Sequence, residues 1–104
     1  MKNNGLDPVL SMIGLANKAG AVKSGRLMIE SSIKSESARL IIIAGDASEG
    51  TAKKINDMCS YRNVPAVTYS TKEMLGRCVG KDLRSALAVT DENLAKAILS
   101  KMPD

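Results

Sequence analysis

The chain has 104 residues, 44% of them apolar and 25% charged, with a net charge of +4 at neutral pH, which bounds it to one globular domain with a single core. Histidine, tryptophan and phenylalanine are absent and Tyr61 and Tyr69 are the only aromatics. That excludes Ser-His-Asp and Cys-His nucleophile pairs, His-bearing zinc helices and an aromatic base-stacking sheet, requires an aliphatic core, and with the positive charge suggests a polyanionic partner.

Asp7-Pro8 predicts a helix start, with Asp as N-cap and Pro at the first helical position. In "VLSMIGLANKAG", Val9, Ile13 and Ala16, with Met12 beside them, recur at helical spacing, and Gly20 makes a C-terminal stop. Residues 21–23 read as a short strand, and Ser24 is expected to cap a second helix running to about Ser35. On that helix Ile29 and Ile33 share a face flanked by Arg26 and Ser32. Leu27, Glu30, Ser31 and Lys34 fall on the other side, and Met28 lies between. Leu27 is hard to bury with Ile29, which leaves it as a lone surface leucine or as a contact surface.

Residues 40–44 form a continuous apolar run, the pattern of a strand buried on both faces. A loop over 45–50 leads to a third helix through "TAKKINDMCSY", with Ile55, Met58 and Cys59 on one side, ended at Asn63. "VPAVTY" is the next strand. Ser70 and Glu73 fit a capping box for a fourth helix carrying Met74, Leu75 and Cys78 and closed by Gly80. "SALAVT" is the fourth strand, and Asp91 caps a last helix through about Lys101. Alternating helices and strands predict a sheet with helices on both faces.

Neither GxxxxGK[ST] nor GxGxxG occurs, so a nucleotide-binding enzyme is set aside. Asp46, Glu49 and Asp57 lack a second acidic cluster to complete a metal site and read as a solvated loop and helix face; no metal and no cofactor are expected. Cys59 and Cys78 have neither a CxxC pattern nor His partners and are expected as buried free thiols. No apolar run approaches the ~18 residues of a membrane span. "MKNNGLDP" lacks a hydrophobic leader core, so a cytoplasmic protein without a membrane partner is expected.

Three glycine turns have basic neighbours: Lys23-Ser24-Gly25-Arg26, Gly45 with Lys53 and Lys54 beyond it, and Gly80-Lys81 with Arg84. If loops and helix termini gather at one end of the fold, they make a basic rim; Lys53-Lys54 taken alone reads as a solvated helix face.

The order of elements, with "VLSMIGLANKAGAVKSG", "ARLIIIAGDAS", "NVPAV", "EMLGRCVGK" and "ALAVTDENLAKAI", resembles the ribosomal L7Ae/L30e superfamily, within it the small bacterial YlxQ-type members, over about residues 9–99. The resemblance implies one domain over residues 1–104, an α/β fold built as a three-layer α/β/α sandwich around a mixed four-stranded sheet, and a non-enzymatic, ribosome-associated RNA-binding role as a monomer. Better-studied members recognise the kink-turn, a bent duplex with sheared G·A pairs and an extruded nucleotide. Carried onto this sequence, the glycine that approaches the RNA backbone is Gly25. The apolar loop supporting the extruded base is residues 80–85, with Leu83 at its tip, and the loop of Gly45, Asp46 and Ser48 lies beside the same site. Lys23, Arg26, Lys54, Lys81 and Arg84 would neutralise phosphates, with Ser24 and Gly80 in the turns that present them. Members with strong kink-turn binding carry Asn or Lys, Glu or Gln, and Lys where this chain has Leu27, Met28 and Ser31. Leucine donates no hydrogen bond and methionine is only a weak acceptor, so the alternative is a protein-interaction or assembly module on the same fold.

Overall fold

The computed structural model describes residues 7–103; the stretch "MKNNGL" within the N-terminal segment read for a leader lies outside them. The elements are α1 (Pro8–Lys18), β1 (Val22–Ser24), α2 (Arg26–Lys34), β2 (Leu40–Ile43), α3 (Glu49–Arg62), β3 (Ala66–Thr68), α4 (Lys72–Cys78), β4 (Ala86–Val89) and α5 (Glu92–Lys101). The strands form one mixed sheet in the order β1-β4-β2-β3, with β1–β4 and β4–β2 antiparallel and β2–β3 parallel.

The uninterrupted apolar run of β2 has its cause in the layers. Successive side chains of a strand point to opposite faces, so Leu40 and Ile42 pack with α1, α4 and α5, while Ile41 and Ile43 pack with α2 and α3. β4 divides the same way: Leu87 and Val89 face the three-helix layer and Ala86 and Ala88 the two-helix layer. The result is the expected three-layer sandwich. Its core is aliphatic, with Ile13, Ile33, Leu40, Ile41, Ile42, Leu75, Leu87 and Ile98 fully buried. At about 25 cal/mol per Å² of buried apolar surface, each such side chain contributes roughly 1.5–3 kcal/mol before chain entropy is counted.

Helix starts follow local chemistry where a polar side chain reaches back to the helix. Asp7 Oδ1 accepts from Leu10 N at 3.0 Å, and its other oxygen accepts from the Tyr69 hydroxyl at 2.9 Å, tying α1 to the end of β3. Asp91 Oδ1 accepts from Leu94 N at 2.9 Å. Ser48 Oγ accepts from Thr51 N at 3.2 Å and starts α3 two residues earlier than the sequence suggests.

Two expected caps move. Ser24 is the last residue of β1, in register with Leu87, and its hydroxyl accepts from Arg84 Nε at 3.2 Å, so the N-cap of α2 passes to Gly25. Ser70 adopts a left-handed backbone (φ 63°) and its carbonyl accepts from Gly45 N at 2.8 Å. Thr71 therefore caps α4 through Met74 N at 3.2 Å, and Glu73 pairs with Arg77 at 2.8 Å rather than closing a box.

β3 is shorter than "VPAVTY" because Val64 N still serves α3, donating to Cys59 O at 2.9 Å. Cys59 is buried as expected, whereas Cys78 is half-buried, its Sγ 3.6 Å from Leu10 O. Burial raises the pKa of both thiols. No helix among the described residues is long and apolar enough to cross a membrane.

Candidate functional site

α2 and α3 lie side by side on one face of the sheet, joined near their N-terminal ends by Glu30 with Lys54, and near their C-terminal ends by Arg62 Nη1 donating to Lys34 O at 3.2 Å. Both therefore start at the same end of the sandwich. Between these starts and the segment entering β4 is an open cavity of about 550 Å³. Its floor is apolar, made by Ile29, Ile55 and Ala86, with Leu83 on the rim, 59% exposed. The small Ala86 side chain fills little of the space between the two helix starts.

The rim is cationic. Arg26, Lys54 and Arg84 line the cavity against one carboxylate, Glu30. Glu30 Oε2 lies 3.2 Å from both Arg26 Nε and Lys54 Nζ, and these two partners hold the carboxyl pKa below its ordinary value, Lys54 contributing most. Arg84 is aimed by its bonds to Ser24 Oγ and, at 3.0 Å, to Leu83 O. Two positive charges remain uncompensated at the mouth.

Backbone donors add to them. α1, α3, α4 and α5 are capped by Asp7, Ser48, Thr71 and Asp91, whereas Gly25 gives α2 no side-chain cap. The first N–H groups of α2 thus keep their donor capacity and the positive end of the helix dipole beside the cavity. Gly25 has φ 91° and ψ 144°, a conformation open to glycine and strained for other residues, which turns the chain from β1 directly into α2.

Of the residues singled out in the sequence, Gly25, Arg26, Ser48, Lys54, Leu83 and Arg84 converge on the cavity. Lys23 and Ser24 are not in the lining; on β1 they lead into Gly25, and Ser24 bonds Arg84. Leu27 is 80% exposed and Met28 49%, and Ser31 is exposed one turn beyond Leu27, so the three form an outer face of α2 beside the cavity. Gly45 and Asp46 serve a neighbouring junction: Gly45 N bonds Ser70 O, and Asp46 Oδ1 accepts from Lys72 N at 2.8 Å at the start of α4. Gly80 ends α4 with φ 69°, and Lys81 N donates to Gly76 O at 2.9 Å; neither lines the cavity.

Sequence reading missed Glu30 as a member of the site, and with it Thr51 and Gly50 on α3 and the floor of Ile29, Ile55 and Ala86. The Arg26–Glu30 spacing of i,i+4 was a readable signal; the Glu30–Lys54 pairing, between two helices, was not. Among the described residues no three His, Cys, Asp or Glu side chains gather as a metal site.

An α/β/α sandwich with a cationic, apolar-floored cavity at the shared start of two helices defines a class of binding domain rather than one activity. The chain belongs to the ribosomal protein L7Ae/L30e/S12e/Gadd45 family, whose model matches residues 7–99. It is similar to the RNA-binding protein YlxQ of Bacillus subtilis (strain 168), with 39% identity covering 86% of this chain and 89% of that protein. A second relative, the RNA-binding protein YlxQ of Enterococcus faecium, is 31% identical with 92% of each chain covered. Among solved structures, a protein of unknown function from Bacillus halodurans superposes with a TM-score of 0.86 at 28% identity, over 90% of this chain and 95% of that one.

Proposed function

We propose that this chain is a non-enzymatic, cytoplasmic, monomeric RNA-binding protein, associated with the ribosome, that contacts structured RNA of the kink-turn type. The observation that carries the reading is the cavity itself: uncapped backbone N–H groups at Gly25 and three cations surround an apolar floor. Phosphates need donors and positive charge, and an unstacked base needs an apolar seat. Lys23, Arg26, Lys54, Lys81 and Arg84 neutralise phosphates, Gly25 lets the RNA backbone approach, and Leu83 with Ile29 and Ile55 receives the extruded base. The names of the two bacterial relatives, both RNA-binding proteins, support the same reading.

The test is a filter-binding titration of a kink-turn RNA against a straight duplex of equal length, between about 50 and 200 mM salt. Log K is expected to fall linearly with log salt, with a steeper slope for the kink-turn. No affinity for either RNA at the lowest salt would sink the reading.

The exposure of Leu27 and Met28, where polar base-reading side chains are expected, favours a second reading as a protein-interaction module. Aliphatic, methionine-bearing surface suits adaptable protein contacts. Lys23→Glu with Arg26→Glu abolishes RNA binding under the first reading; under the second, Leu27→Asp alone releases a co-purifying protein.

A further inference from the structure

The two cations that meet Glu30 come from different helices, Arg26 from α2 and Lys54 from α3, yet both bond the same oxygen, Oε2, at 3.2 Å. Paired with both, the carboxylate lies at the cavity wall. Oε1 has no bonded partner among the described residues. The Ser48 hydroxyl on the same lining is spent on Thr51, donating to Oγ1 at 2.9 Å and accepting from N at 3.2 Å. An ionised carboxylate only accepts hydrogen bonds, and its paired cations favour that state at neutral pH.

A carboxylate acceptor beside an apolar floor repels phosphate and selects among bases by their donor edges. Guanine places a ring N–H and an amine N–H side by side on its Watson–Crick edge. Uracil offers one N–H between two carbonyls, while adenine and cytosine set a bare ring nitrogen beside the amine, lone pair against lone pair. We infer that Glu30 makes the cavity a seat selective for an unpaired guanine of the bound RNA, Oε1 accepting from its N1–H and N2 amine. This rests on the RNA-binding reading above and adds to it the identity of the base.

The probe is a kink-turn RNA whose extruded nucleotide is guanosine, inosine, uridine, adenosine or cytidine, titrated by filter binding. Wild type is expected to bind the guanosine RNA about tenfold tighter than the adenosine or cytidine RNA, the lower end of what a hydrogen-bonded contact to a base edge discriminates. Inosine, which keeps N1–H and lacks the amine, falls between. In Glu30→Ala the five affinities converge, while those for adenosine and cytidine stay level or rise as the negative charge of the carboxylate is removed from the cavity. Equal, measurable binding of the five RNAs by wild type, or a guanine preference that survives Glu30→Ala, overturns the inference alone. Binding of none of them by wild type overturns the RNA reading beneath it.

Discussion

Gly25 and Gly50 both line the cavity, and a Cβ placed on either meets no heavy atom within 4 Å. Space is therefore the same for both, and only the backbone differs: Gly25 has φ 91°, whereas Gly50 lies in the first turn of α3. Gly25→Ala should cost about 1–3 kcal/mol of torsional strain, reduced by ~0.4–1 kcal/mol because alanine restricts the unfolded chain. The net loss of about 1–2 kcal/mol lowers the thermal midpoint by roughly 5–15 °C in a domain of this size. Gly50→Ala should gain several tenths of a kcal/mol, up to ~1 kcal/mol, from helix propensity, raising the midpoint by a few degrees. Heat unfolding followed by far-ultraviolet circular dichroism reads both variants on one scale. If Gly25→Ala unfolds at or above the wild-type temperature, the turn into α2 is not a glycine-dependent geometry, and its role in presenting the α2 N–H groups falls with it.

Gly76→Ala is a contrasting case, because its Cβ would run into the Asp82 carbonyl; urea unfolding should show a loss of about 1–3 kcal/mol from overpacking. Arg84→Ala should reduce the slope of log K against log salt by about 1 in RNA binding. Lys53→Ala, at a lysine paired with Asp57 at 2.7 Å and absent from the cavity lining, should leave that slope unchanged. Glu30 has a folded pKa depressed below 4.5, chiefly by Lys54 and then Arg26. Its contribution to stability is thus present above pH 4.5 and lost as the pH falls through the lower folded value. Urea midpoints measured from pH 6 downward to about 3 should fall less steeply in Glu30→Gln than in wild type.

Much of the fold was legible because its signals are local. Asp7-Pro8 and Asp91 cap the helices they precede, since a cap bond spans three residues. The apolar run over residues 40–44 announced a strand buried on both faces, of which β2 takes Leu40–Ile43, and the wheel of α2 set Ile29 and Ile33 inside and Leu27 outside. The site was legible in part for the same reason: Gly25, Arg26, Lys54, Leu83 and Arg84 were found from turns, charges and the family pattern, and they do meet at one cavity. Gly45, Asp46, Gly80 and Lys81 sit in turns of the same kind, yet their backbone and side-chain bonds belong to the ends of α4 and β3.

What local chemistry left open was settled by competition between partners distant in the chain. Ser24 is a good N-cap residue in isolation, but the ladder with β4 and the Arg84 guanidinium, sixty residues on, claim it first, and α2 begins on an uncapped glycine as a result. Ser70 loses its cap through its backbone instead: it turns left-handed (φ 63°) where its carbonyl accepts from Gly45 N, and the cap passes to Thr71. The bond between Glu30 and Lys54 and the floor supplied by Ala86 exist only once α2, α3 and β4 are packed. Periodicity, capping and composition are properties of adjacent residues and so determined the order of elements, the aliphatic core and the basic character of the loops. Which hydrogen-bond acceptor a given donor finds, and how much space a small side chain leaves beneath two helix ends, depend on residues brought together from across the chain, and these the tertiary structure alone decided.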